Sequence, residues 1–143
     1  MKKLHVLGLT VITVIGLSSA AISQAAASSA TYTIKNNSNS AIALKSTSCQ
    51  ATGMSFPNGI EAKASARVDN DSIYPTLYSC QVEYRSSASS SKSCKFTISR
   101  FMSGNSWLYP TVYLTSGSSS YCNGRVTSAY ADGDFSVELN HNF

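Results

Sequence analysis

Beyond residue 27, apolar side chains recur at every second position, and no stretch carries the three- and four-residue spacing of a helical stripe. Tyr78, Cys80, Val82 and Tyr84 share one parity against Gln81, Glu83 and Arg85, and Cys94, Phe96 and Ile98 repeat the pattern against Lys95, Thr97 and Ser99. Tyr32 with Ile34, Ile42 with Leu44, and Phe135 with Val137 and Leu139 do the same. Alternate residues of an extended chain point to opposite faces, so each segment reads as a strand with one buried side. Ile60, Ala62, Ala64, Ala66 and Val68 predict one further continuous strand, and the segments 107–115 and 121–128 complete a set of about eight. Ser, Thr, Tyr, Val and Asn dominate over Leu, Glu and Lys, which favours strands and turns. Polar clusters such as Asn36–Ser40 and Ser86–Ser93 supply the turns, the latter as a flexible hairpin loop. Short strands joined by such turns predict an all-β chain, a small antiparallel β-sandwich.

The N-terminal segment follows another logic. Lys2 and Lys3 precede an apolar run from Val6 to Leu17, and small residues from Ser18 to Ala27 follow it. A charged start, a short apolar core and a small-residue exit are the three parts of a bacterial-type signal peptide. The cut is placed after Ala25, leaving residues 26–143 as one exported domain, secreted or periplasmic. The apolar core is shorter than the roughly 20 residues a spanning helix needs, which argues against an anchor.

Export changes the reading of the cysteines. Cys49, Cys80, Cys94 and Cys122 all lie in the exported part, no two closer than 14 residues, with His141 its sole histidine. Zinc sites want close cysteine pairs or several histidines, whereas an even number in a small exported domain reads as two disulfides. Four cysteines allow three connectivities, which sequence leaves open. A hairpin closed symmetrically around residues 86–92 sets Cys80 opposite Ile98 and Cys94 opposite Tyr84, and so leans toward Cys49–Cys80 with Cys94–Cys122.

Eleven Lys and Arg, Lys2 and Lys3 among them, face seven Asp and Glu, with no run of like sign. Nucleic acid is therefore not an expected partner, because tracking phosphates needs clustered cations. No nucleophile elbow, phosphate loop, zinc-protease helix or C-x-x-C motif is present, so no catalytic residue, cofactor or metal is assigned. Asp69-Asn70-Asp71 and Asp132-Gly133-Asp134 are the local acidic clusters, and both are read as turns between strands. His141 is read as a solvent-facing residue on a fraying last strand. The alternation ending on Phe143 is shared with last strands of outer-membrane barrels, but these strands are shorter than the 9–11 residues such barrels use.

One segment stands out: Trp107, Tyr109 and Tyr113 share parity around Pro110, with Arg100 upstream. Leu108, Val112 and Leu114 have the opposite parity and are expected to supply the core. Proline cannot donate to a ladder, which pushes this strand to an edge or a bend. An aromatic row backed by aliphatics suits contact with sugar rings, lipid headgroups or a protein. The sequence thus predicts a non-enzymatic binding module that meets a protein, glycan or surface component through Arg100, Trp107, Tyr109 and Tyr113. Two alternatives share its features: a membrane-active β-sandwich of the pore-forming kind, and a small hydrolase built on Asp or Glu pairs.

Overall fold

In β1, Ser28–Asn36, side chains alternate buried and half-buried at every residue, the burial that period-two alternation implies. The computed structural model describes residues 28–50, 54–73 and 77–143. The predicted signal segment 1–25 lies outside them. The strands that follow are β2 (Ile42–Cys49), β3 (Gly59–Ile60), β4 (Ser65–Ile73), β5 (Leu77–Ser86) and β6 (Ser93–Ser103). Then come β7 (Ser106–Trp107), β8 (Thr111–Ser116), β9 (Cys122–Ala129) and β10 (Phe135–His141). β3 and β7 are two-residue pieces; the other eight are the strands of an all-β fold.

They form two sheets. One, sheet A, has the order β4-β1-β10-β9; the other, sheet B, runs β3-β2-β5-β6-β7, with β8 also paired to β6. Every pairing is antiparallel except that of β1 with β10, which run parallel in the middle of sheet A. Ala30, Tyr32, Ile34, Phe135, Val137 and Leu139 from sheet A face Tyr78, Val82, Tyr84, Phe96 and Ile98 from sheet B, all of them buried. The hydroxyls of Tyr32 and Tyr78 hydrogen-bond to each other across this gap, so the interior is aromatic without leaving those polar groups unpaired.

Both disulfides close, as Cys49–Cys80 and Cys94–Cys122. The first joins directly opposed residues of β2 and β5 within sheet B. The second runs from β6 to β9 and ties the two sheets together. Two closed bridges in so small a domain fit an oxidising compartment.

Three local expectations fail, each for a tertiary reason. The single strand expected over 60–68 is broken: Lys63 takes a left-handed conformation at φ 58°, and the chain changes sheets from β3 to β4 there. Asn36 holds the corner, its amide donating to the carbonyls of Ser40, Ile60 and Glu61. Asp69-Asn70-Asp71 is not a turn but the middle of β4, where Asn70 is buried opposite Ala30 and Asp69 points outward to Arg67 and Thr31; the Asp71 side chain lies outside the described residues. Asp132-Gly133 is a turn as expected, Asp132 accepting from the Asp134 amide at 3.0 Å. His141 does not fray into solvent: it is fully buried, edge-on to Tyr84 and Phe96, because β10 sits inside sheet A between two neighbours.

Candidate binding surface

β6 outruns β5 and turns back on itself through Gly104, pairing Ser103 with Ser106 and Met102 with Trp107. The Leu108 amide then donates to the Phe101 carbonyl at 2.8 Å, so Leu108 stands beside Phe101. When pairing resumes on β8 the partners are Ser99 with Thr111 and Thr97 with Tyr113, one residue out of step. The extra residue is taken up at Tyr109–Pro110, where a buried proline needs no ladder partner. A one-residue slip reverses which face each later side chain occupies.

That slip divides the expected aromatic row. Trp107 lies on the inner side, half-buried, whereas Tyr113 lies on the outer side opposite Thr97. Leu108, expected in the core, is 49% exposed, while Val112 and Leu114 are half-buried against the core as their parity implied. Tyr109 is 69% and Tyr113 61% exposed. Phe101 pairs with Leu77 on one side and neighbours Leu108 on the other, which sets three apolar side chains in one rung across β5, β6 and the residue after β7. Phe101 is 47% exposed and Leu77 36%. Directly opposed side chains stand about 5 Å apart, so these three form a continuous apolar surface, with Tyr113 two rungs along the same face. Next to it the outer face of sheet B is hydroxyl-rich: Ser99 meets Thr111 at 2.9 Å and Thr97 meets Thr115 at 2.7 Å.

Arg100 is beneath this surface, not on it. Only 2% exposed, it donates from Nε to the Leu108 carbonyl and from its terminal nitrogens to the carbonyls of Tyr130, Gly133 and Asp134. Its guanidinium lies 5.4 Å from the centre of the Trp107 ring and 5.7 Å from that of Phe135. Burial weakens its hold on its proton, and the Asp132 and Asp134 carboxylates oppose that. Gly133, at φ 106°, makes the arrangement fit: a Cβ there would come 2.4 Å from both Trp107 Nε1 and Ser28 Oγ. The clamp therefore fixes the 130–134 turn, and with it the 59% exposed Tyr130, against the β7 hairpin.

No protein-family model matches the chain, and no curated protein matches it in sequence. Two solved structures share its architecture. IP-1A from Alcaligenes faecalis aligns over 82% of this chain and 93% of its own with a TM-score of 0.51 at 10% identity. The RahU protein, solved in complex with a TRIS molecule, aligns over 82% and 97% with a TM-score of 0.51 at 11% identity. The likeness is one of fold alone.

The remaining polar candidates are engaged locally. The Asp69 carboxyl is held below the ordinary carboxylate range by hydrogen bonds from Arg67 and Thr31, and Asp134 accepts from the Ser29 amide at 2.7 Å. Among the described residues no three His, Cys, Asp or Glu gather to hold a metal ion. Sequence reasoning named Tyr109 and Tyr113 but missed Leu77, Phe101, Leu108 and Tyr130. Alternation extended along β5 and β6 does put Leu77 and Phe101 on the outward parity, whereas the exposure of Leu108 and Tyr130 follows from where the bulge falls and how the last turn docks.

Proposed function

We propose that this chain is an exported, disulfide-stapled module that works by binding a protein or glycan of the cell surface or surroundings, through the outer face of sheet B around Tyr109 and Tyr113. The observation that carries this reading is the exposed apolar rung Leu77, Phe101 and Leu108 at one end of that face, with exposed Tyr109 next in the chain and exposed Tyr113 two rungs along. Large apolar residues exposed together are unusual on a chain that has no partner, and tyrosine brings contact area with little rotamer entropy to lose. Rows of serine and threonine hydroxyls alongside supply donors and acceptors for a polar rim. Arg100 and Trp107 act as the support that holds the surface in shape. The leader-like N-terminus and the two disulfides support export.

The test is affinity capture from the native culture with the oxidised protein as bait, repeated with Tyr109→Ala/Tyr113→Ala. Loss of at least tenfold in captured partner, at unchanged melting temperature, supports the reading; equal capture by the double variant overturns it.

The exposed apolar rung, on a chain that also exposes Tyr109, Tyr113 and Tyr130, has the make-up of an interfacial anchor, which favours a membrane-active module as the second reading. Dye release from liposomes at micromolar protein separates the two, since a surface-binding module leaves the dye inside.

A further inference from the structure

At the far end of the same sheet face, the β5–β6 hairpin carries Arg85 and Lys95, and among the described residues neither has an ion-pair partner. Elsewhere the cations are paired: Lys35 and Arg125 share Glu138, Lys45 takes Glu83, and Arg67 takes Asp69. Lys63 reaches the Asn37 carbonyl and Arg100 is clamped as described. Arg85 on β5 and Lys95 on β6 have no such partner among the described residues, and Lys92 in the connecting loop lies only over the Tyr121 ring at 5.8 Å. Glu83, directly across from Lys95, is already occupied by Lys45 at 2.8 Å and by Ser46. These three charges fall within eleven residues of the sequence, with no acid among them.

Beside them is a cavity of about 310 Å³ lined by Ala43, Arg85, Ser86, Ser87 and Ser90. The serine-rich loop that walls it is pinned at both ends: the Ser87 amide donates to the Ala41 carbonyl and the Ser86 amide to the Lys92 carbonyl, each at 2.9 Å. The Ser86 hydroxyl accepts from the Ala88 amide at 3.2 Å and meets the Ser40 hydroxyl at 3.5 Å, which fixes its place in the wall. A planar guanidinium with hydroxyls around it matches the geometry of an oxyanion, which accepts two parallel N–H bonds. The volume is at the lower end of the range for small-molecule pockets and exceeds what a bare oxyanion fills.

We propose that this cavity is an oxyanion-binding site, Arg85 gripping a carboxylate or sulfate while Ser87 and Ser90 meet the group that carries it, with Lys95 on the same face raising the local positive potential. The size fits an acidic sugar. The site stands apart from the aromatic surface and does not depend on it.

The experiment is an NMR titration of the oxidised protein at constant ionic strength, following the Arg85 Nε–H and the amides of residues 86–90. The probes are glucuronate, glucose 6-sulfate, sodium sulfate and neutral glucose. Saturable shifts at those groups with the acidic sugars, weakened at least tenfold by Arg85→Gln and less than threefold by Lys95→Gln, bear the site out. Sulfate alone binding as tightly as the sugar sulfate identifies a free oxyanion as the ligand; tighter binding of the sugar acids identifies the sugar-borne group. Neutral glucose matching the acids, or Arg85→Gln leaving the shifts unchanged, overturns the proposal. Shifts that never saturate and fall equally with Arg85→Gln and Lys95→Gln are a diffuse ion atmosphere, and overturn it too.

Discussion

Arg100 lies flat enough against Trp107, 5.4 Å from its ring centre, to bury a guanidinium under the surface that its neighbours present to solvent. Two residues singled out from sequence as contacts for a partner are thus partners of each other. The division of labour is testable, because support and contact respond differently to substitution.

Arg100→Lys should destabilise the fold by about 2–4 kcal/mol. Lysine cannot reach the four carbonyls in a fixed fork, and buried carbonyls left unpaired carry the full desolvation cost. Urea denaturation followed by tryptophan fluorescence measures it. A change below about 0.5 kcal/mol, the level of an ordinary surface substitution, contradicts the clamp.

Tyr109→Ala and Tyr113→Ala should each leave stability within about 0.5 kcal/mol of the parent, since both side chains are largely exposed. Gly133→Ala should cost more than either, as the added methyl meets Trp107 and Ser28 and the residue sits at positive φ. A reversed order would mean that the tyrosines pack in the native state.

Tyr32→Phe should cost about 1–3 kcal/mol, because the Tyr78 hydroxyl then keeps only a weak contact with Met54 Sδ at 3.6 Å. Tyr32→Phe/Tyr78→Phe should cost less than the two single changes added together, as both ends of one bond disappear at once. Strict additivity in a double-mutant cycle would show that the hydroxyls do not interact.

Acid should unfold the protein partly through His141. Burial lowers its pKa from 6.5 to about 4, and the nearby backbone of Lys35 and Leu139 only partly offsets this. Among the described residues neither ring nitrogen has a partner at good hydrogen-bond geometry. The unfolded chain therefore takes up a proton that the fold refuses, so this stability is complete above pH 6.5 and is lost as the pH falls toward 4. The span corresponds to about 3 kcal/mol. Glu83 and Glu138, held low in the fold by their cation and hydrogen-bond partners, add acid sensitivity below about pH 4.5. His141→Phe should remove the slope between pH 6.5 and 4.5 and keep the lower one. An unchanged slope there would place the proton elsewhere.

Cys94→Ala/Cys122→Ala should lose about 3–4 kcal/mol from the unfolded-chain entropy of a 28-residue separation, and should also loosen the contact between sheets. Cys49→Ala/Cys80→Ala removes a bridge within one sheet, where the β2–β5 ladder persists on its own. Hydrogen exchange distinguishes them: only the first pair should raise exchange in β9 as well as β6. Equal and local effects would mean that the inter-sheet bridge has no special role.

The alternation from Tyr32 to Leu139 determined that this chain is a β-sandwich, because burying one face of a strand needs nothing beyond period two and a second sheet. Hairpin register excluded a Cys80–Cys94 bridge, since those residues fall on opposed strands at positions that cannot meet, but the choice between the two remaining pairings came from the fold. What the alternation could not settle was everything that depends on counting across strands. A one-residue bulge at Tyr109–Pro110 moved Tyr113 to the opposite face from Trp107 and brought Leu108 out of the core. The break at Lys63 and the burial of His141 between two neighbours of β10 likewise arise from pairing between distant segments. Local pattern sets which residues prefer an interior. Register and strand order, fixed only when the whole core packs, decide which side that interior is on.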